Sequence, residues 1–74
     1  MFGNKIIKTI FIEGMSCGHC SKRVEEALKS VNGVKSVEVY LEDKKADVKL
    51  KNDVDNETLK AVVEDVGFEV INIK

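Results

Sequence analysis

The stretch KIIKTIFIEGMSCGHC, residues 5–20, changes its hydrophobic pattern partway along, and this change predicts the first two elements of the fold. Residues 5–12 are dense in β-branched side chains and are followed by a Glu-Gly pair, which is typical of a β-strand that ends in a turn. Because side chains alternate along a strand, Ile10 and Ile12 share one face and Phe11 points the other way. The remainder of the stretch begins a helix.

From Gly18 onward the apolar residues follow a helical period. Their spacings of 4, 3, 1 and 3 give one stripe, and Arg23, Glu26 and Lys29 lie off it. Asn32-Gly33 supplies a left-handed stop of the kind that often follows a helix. The stretch therefore predicts an amphipathic helix with this apolar stripe: Cys20, Val24, Ala27, Leu28 and Val31.

Two alternating apolar runs in the middle of the chain predict a β-hairpin, with residues 42–45 as its polar turn. A second helix follows from an Asp55 or Asn56 cap and stops at Gly67. Residues 68–73 make a last strand. The apolar positions on which the hairpin and the second helix depend are Val37, Val39, Leu41, Ala46, Val48, Leu50, Leu59, Val62, Val63 and Val66.

The element order β-α-β-β-α-β predicts an α+β, ferredoxin-like sandwich with a four-stranded antiparallel sheet and both helices on one face. A chain of 74 residues has room for a single core, so residues 1–74 are expected to form one domain. Right-handed crossovers place strands 1 and 3 in the centre of the sheet. They also bring residues 14–20 next to Gly67-Phe68.

Composition excludes several classes of partner. The chain is 43% hydrophobic and 34% charged with a formal net charge of -1, which gives no basis for binding nucleic acid or an anionic membrane. Its longest apolar run, residues 10–12, is far too short to insert into a bilayer, and no signal pattern opens the sequence. We therefore expect a cytoplasmic protein whose cysteines are free thiols.

Cys17 and Cys20 form a C-x-x-C motif for which three chemistries are open: a redox dithiol, part of a zinc site, or a transfer site for a soft metal ion. The first turn of a helix favours the thiolate, which is the metal-binding form. Zinc sites need three or four protein ligands, whereas this chain offers two thiols and His19. Two thiolates suit Cu(I) better than Zn(II), and they leave the ion open to attack by a partner's thiolates.

The dithiol alternative has less support. Thioredoxin-like proteins share the order strand, C-x-x-C and helix, but they are longer chains that carry Trp and Pro around the motif. This sequence contains neither residue. Redox catalysis therefore remains a minor alternative to metal binding.

Three motifs spread over the chain, GMSCGHC, NGV and VGFEV, resemble the heavy-metal-associated domain family. Its members include soluble copper chaperones and the N-terminal domains of copper-transporting P-type ATPases. The resemblance implies one Cu(I) bound by Cys17 and Cys20 and passed to such an ATPase domain by a protein that is not an enzyme. An excised ATPase domain and a mercury-binding protein are the alternatives. Ag(I) and Hg(II) are equally soft and are expected to bind the same pair in vitro, and a copper-bridged dimer is an alternative to a monomer.

The resemblance also implies roles for four residues beside the cysteines. Met15 matches a methionine that faces the core, and His19 matches an exposed histidine that is not a primary ligand. Ser16 stands where zinc-exporting relatives carry an acidic ligand. Phe68 stands where bacterial chaperones usually have Tyr and eukaryotic ones Lys, and it can shield the metal but cannot hydrogen-bond to it.

Overall fold

The computed structural model describes residues 6–74. Its elements follow the predicted order: β1 (Ile6–Glu13), α1 (Gly18–Lys29), β2 (Val34–Tyr40), β3 (Lys45–Leu50), α2 (Asn56–Asp65) and β4 (Glu69–Ile73). The predicted first strand begins at Lys5, which, like the rest of residues 1–5 of the predicted domain, lies outside the described residues. None of the helices in residues 6–74 has the length and apolar character that crossing a bilayer requires.

The four strands form one antiparallel sheet in the order β2-β3-β1-β4. This order confirms the prediction that the first and third strands are central. Along β1, Ile10 pairs with Ala46 of β3, and Ile12 pairs with Val70 of β4. The β1–β4 ladder is interrupted by a bulge beside Ile12, after which Glu13 pairs with Glu69.

The core lies between one face of the sheet and the two helices. Ile10 and Ile12 are completely buried on this face, while Phe11 lies on the other face, as predicted. Each helix covers the sheet with its predicted apolar stripe, and burial of these side chains contributes about 25 cal/mol per Å² of apolar surface. The fully buried helical residues are Val24, Leu28, Leu59 and Val63.

The helix ends depend on backbone geometry as well as on apolar spacing. Gly67, with φ +97°, follows α2 as predicted. α1 ends at Lys29, earlier than the stop predicted at Asn32-Gly33, because the Ser30 hydroxyl donates to the Ala27 carbonyl at 2.6 Å and the Val31 N–H donates to the Leu28 carbonyl and not to that of Ala27. Gly33 is left-handed at φ +103°, and a Cβ there would lie 2.9 Å from Val54 Cγ2. It therefore supports the entry to β2 and not the end of the helix.

Candidate metal centre

The loop between β1 and α1 is fixed at its start and exposed at its tip. Gly14 takes φ +103°, and a Cβ there would be in ordinary contact with Phe68, 3.4 Å from its Cδ1. Met15 is only 7% exposed and belongs to the core. Ser16 and Cys17 are both exposed. The buried methionine therefore anchors the cysteine loop to the core. The crossovers predict that residues 14–20 lie next to Gly67-Phe68, and the position of Gly14 beside Phe68 agrees with this at the start of the loop.

The two cysteines occupy the beginning of α1. Cys17 is the N-cap residue in an extended conformation, and its carbonyl accepts hydrogen bonds from the N–H groups of Cys20 and Ser21 at 3.0 and 3.2 Å. Cys20 lies in the first helical turn, half-buried against the core. The Sγ atoms of the two cysteines are 3.6 Å apart, and both residues are free thiols. The structure therefore brings together the two sulfurs that the sequence identified as ligands.

The surroundings of Cys20 favour its anionic form. The Ser16 backbone N–H and then the Cys17 thiol lower the pKa of the Cys20 thiol, while partial burial opposes them. The Cys17 backbone and the Ser16 hydroxyl also lower the pKa of Cys20, by smaller amounts. The Ser16 Oγ lies 4.0 Å from Cys20 Sγ. No acidic residue occupies the first turn of α1 to oppose this effect. Cys20 therefore loses its proton more readily than an isolated cysteine.

Within the described part of the chain, the two sulfurs are the candidate metal donors that lie close together. His19 lies on the exposed side of α1, between the cysteines in sequence. Within residues 6–74 no three His, Cys, Asp or Glu side chains come close enough together to hold a metal ion. Such a pair suits a soft ion that accepts low coordination numbers, and it is too small for a structural zinc site.

The distance between the two Sγ atoms indicates how far they would have to move to bind a metal ion. Metal–sulfur bonds of about 2.3 Å would enclose an angle of about 100° at the observed distance, and a linear arrangement needs the sulfurs about 4.6 Å apart. The two sulfurs must therefore separate by roughly 1 Å to hold an ion linearly. Because Cys17 lies on an exposed loop, this movement does not require a change in the core.

The rim of the site carries opposite charges on its two sides. Lys22 and Arg23 are exposed on α1. Glu13, Glu64 and Glu69 line a shallow depression on the other side, together with Gly14, Gly67 and Phe68. The sequence patterns do not place Glu13 beside Glu69. That contact depends on the β1–β4 register, which no local pattern contains.

Comparison with known proteins identifies the family. The model of the heavy-metal-associated domain matches residues 9–69. A copper chaperone CopZ from Staphylococcus haemolyticus is 46% identical over 66 residues, which cover 88% of this chain and 97% of the relative. The copper-transporting ATPase 1 of Rhizobium meliloti is 41% identical over 69 residues, which cover 93% of this chain but 8% of that much longer protein.

Solved structures agree. The structure of a CopZ metallochaperone superposes with a TM-score of 0.80 at 38% identity, covering 92% of this chain and 100% of that chain. Fold, motif and sequence similarity over most of the chain therefore point in one direction. The chain belongs to the heavy-metal-associated domain family.

Proposed function

We propose that this protein is a copper chaperone that binds one Cu(I) between Cys17 and Cys20 and passes it to the metal-binding domain of a copper-transporting P-type ATPase. The observation that carries the proposal is the pair of free thiols 3.6 Å apart on an exposed helix start. The copper chaperone among its relatives supports copper as the metal. The reducing cytoplasm, where such thiols stay free, is the proposed place of action.

Transfer of the ion is possible because two thiolate ligands leave a coordination position open. A Cu(I) ion with two thiolates has room for a third, so a thiolate of the partner can add before one of the chain's own ligands leaves. Each step exchanges one metal–sulfur bond for another, and the ion keeps its oxidation state. The protein is thus a carrier of the ion and not an enzyme.

The residues beside the sulfurs adjust this exchange. Ser16 offers no hard third ligand, which favours soft ions over zinc. Phe68 lies half-buried beside the loop and shields one side of the ion from water. Ag(I) and Hg(II) share the softness of Cu(I), so we propose that they bind the same pair in vitro.

Competition for Cu(I) against a chromogenic chelator tests the binding step. The wild-type chain should withdraw one equivalent of Cu(I) from the chelator, and the Cys17→Ser, Cys20→Ser variant should withdraw none. A His19→Ala variant is the matched control and should behave as wild type. Equal retention of copper by the double variant and the wild type would exclude the cysteine pair as the site.

A second candidate function is that of an N-terminal metal-binding domain within a copper ATPase. The similarity to the Rhizobium meliloti ATPase, which covers 93% of this chain, favours it. The metal chemistry would be the same, but the domain would receive copper for its own transporter. The gene decides between the two: a reading frame that continues past Lys74 into membrane spans supports the ATPase domain, and a stop codon there supports the free chaperone.

A further inference from the structure

β4 lies at one edge of the sheet, with β1 on one side and no strand on the other within residues 6–74. The unpaired backbone groups of an edge strand can pair with another chain where no proline interrupts the strand. The sequence of β4 has no proline and contains three β-branched apolar residues. One of them, Ile71, is 61% exposed. The free edge is therefore a candidate surface for strand pairing.

The hydrogen bonds to β1 show which groups of β4 face outward. Lys74 exchanges both backbone hydrogen bonds with Thr9, at 2.8 and 2.9 Å. Hydrogen-bonded and non-hydrogen-bonded pairs alternate along antiparallel strands, so the next pair, which contains Ile73, is of the second kind. The pair that contains Val70, two positions further along β1, is of that kind as well. The N–H and C=O groups of Val70 and Ile73 therefore point to the free edge.

One of these edge groups is already occupied by a side chain. The Ile73 N–H donates to Asn72 Oδ1 at 2.9 Å. This hydrogen bond is local and exposed, and it takes the place of the bond that a neighbouring strand would accept. Asn72 therefore competes with strand pairing at the free edge.

The pattern of side chains along β4 reads the same in both directions. In the stretch EVINIK, residues 69–74, Val70 and Ile73 pair with the core-facing isoleucines of β1 and are themselves half-buried. The other four residues are exposed. Two of them, Ile71 and Asn72, are adjacent because the β1–β4 bulge interrupts the alternation of faces there. A Glu begins the stretch and a Lys ends it. Such a strand is complementary to an antiparallel copy of itself.

We propose that the free edge of β4 is a docking strand for a second copy of this chain, paired about a two-fold axis between Ile71 and Asn72. Val70 then lies opposite Ile73 of the second copy, so their outward backbone groups can exchange hydrogen bonds, and the symmetry repeats the pair. Each Glu69 lies opposite Lys74 of the other copy, on the same face of the joined sheet. Hydrogen bonds, burial and charge all favour the same register.

The position of Glu69 within one copy supports this partner. Glu69 pairs directly with Glu13 of β1, and like charges opposite each other destabilise a sheet. The ion pair found in residues 6–74 joins Lys29 to Glu25 and leaves Glu69 without a compensating cation. Lys74 of a second copy supplies one.

The pairing is separate from metal transfer. Glu69 lies next to the cysteine loop, whereas Lys74 lies at the opposite end of β4. An antiparallel pair therefore puts the two cysteine loops at opposite ends of the joined sheet, where no single ion can reach both. The dimer should form without metal, which distinguishes it from a copper-bridged dimer.

Sedimentation velocity over a range of concentrations tests the proposal on the metal-free Cys17→Ser, Cys20→Ser chain. Asn72→Val removes the competing cap from both copies and should tighten the dimer about tenfold. Glu69→Lys places two lysines opposite each other at both ends and should weaken the dimer at least as much. The double reversal Glu69→Lys, Lys74→Glu should restore it.

Two further measurements keep the outcome clear. Circular dichroism verifies that each variant is folded, and the Glu69→Lys monomer should be more stable than its parent because the introduced lysine would face Glu13. Amide exchange at Val70 and Ile73 should slow as the protein concentration rises. An Asn72→Val chain that stays monomeric at millimolar concentration overturns the proposal, and so does a dimer that ignores both charge reversals. If the Asn72→Val variant does not fold, the Glu69→Lys and Glu69→Lys, Lys74→Glu variants that keep Asn72 test the proposal.

Discussion

At the scale of single residues, the properties of the site depend on the hydrogen-bond donors that surround the Cys20 sulfur. Cys20 receives them from Ser16 and Cys17, which directly precede α1. The sequence predicts the two cysteines and the helix that starts beside them, because spacing and apolar period are local features. It does not predict that the Ser16 backbone is the leading donor, since that depends on the turn that Gly14 and Met15 impose on the loop.

The lowered pKa of Cys20 leads to a prediction about reactivity. Alkylation requires the thiolate, so the rate at Cys20 should rise with pH and reach half its maximum below the ordinary cysteine value. Ser16→Ala should move this midpoint upward only slightly, because the backbone donor remains. Mass spectrometry of iodoacetamide-treated, metal-free protein measures the alkylation rate at Cys20 in the wild type and in Ser16→Ala. An unstructured peptide with the sequence of residues 13–22 is the control, and an equal midpoint in peptide and protein would contradict the hydrogen-bond explanation.

Gly14 gives a second residue-scale prediction. An alanine there must keep the left-handed backbone that its Cβ disfavours, so Gly14→Ala should lower the free energy of unfolding by about 1–2 kcal/mol. Gly18→Ala is the matched control, since a Cβ at Gly18 meets nothing within 4 Å. This second change should stabilise α1 by at most about 1 kcal/mol. Urea unfolding measures both changes, and a loss of equal size in the two variants would exclude the backbone as the cause.

At the scale of elements, the apolar periods predict all four strands and both helices. They do not predict where α1 ends or how β1 pairs with β4. The sequence places the end of α1 at Asn32-Gly33, but the Ser30 hydroxyl ends it first by a hydrogen bond to the Ala27 carbonyl that no apolar period can indicate. The bulge between β1 and β4 is invisible for the same kind of reason. It belongs to the pairing of two strands that are distant in sequence, and each strand by itself has an ordinary pattern.

Lys8 shows what such patterns miss between elements. It lies on β1, and its Nζ donates to the Val54 carbonyl at 2.9 Å and to Asn56 Oδ1 at 2.6 Å, at the beginning of α2. These bonds join the central strand to the loop that positions the second helix. The sequence treats this lysine as one more polar residue in an apolar strand.

We therefore predict that Lys8→Met lowers the free energy of unfolding by about 1–3 kcal/mol, because a charged hydrogen-bond donor to two acceptors is lost while the aliphatic length is kept. Lys49→Met, on the exposed side of β3, is the control and should change stability by less than about 0.5 kcal/mol. Chemical denaturation with both variants gives the comparison. Equal, small effects would mean that the Lys8 bonds contribute nothing to joining β1 and α2.

At the scale of the whole molecule, one small core supports a site at one end of the sheet. The core reaches the site through Met15 and Cys20, which pack against it from the loop and from α1. A chain of this size buries a modest fraction of its surface and is marginally stable, so an interaction at the site is a large share of its total stability. Metal binding and folding are therefore coupled.

The coupling predicts that a soft metal ion protects the fold. Ag(I), which resists oxidation in the assay, should raise the free energy of unfolding by up to about 2.7 kcal/mol at a free concentration one hundred times its Kd. The gain should fall short of this limit because the unfolded chain keeps the same two thiols and retains some affinity. Thermal unfolding followed by circular dichroism, without Ag(I) and with Ag(I) buffered at that free concentration, measures the shift. The Cys17→Ser, Cys20→Ser chain should show none, and a shift in that variant would place the stabilising ion elsewhere on the molecule.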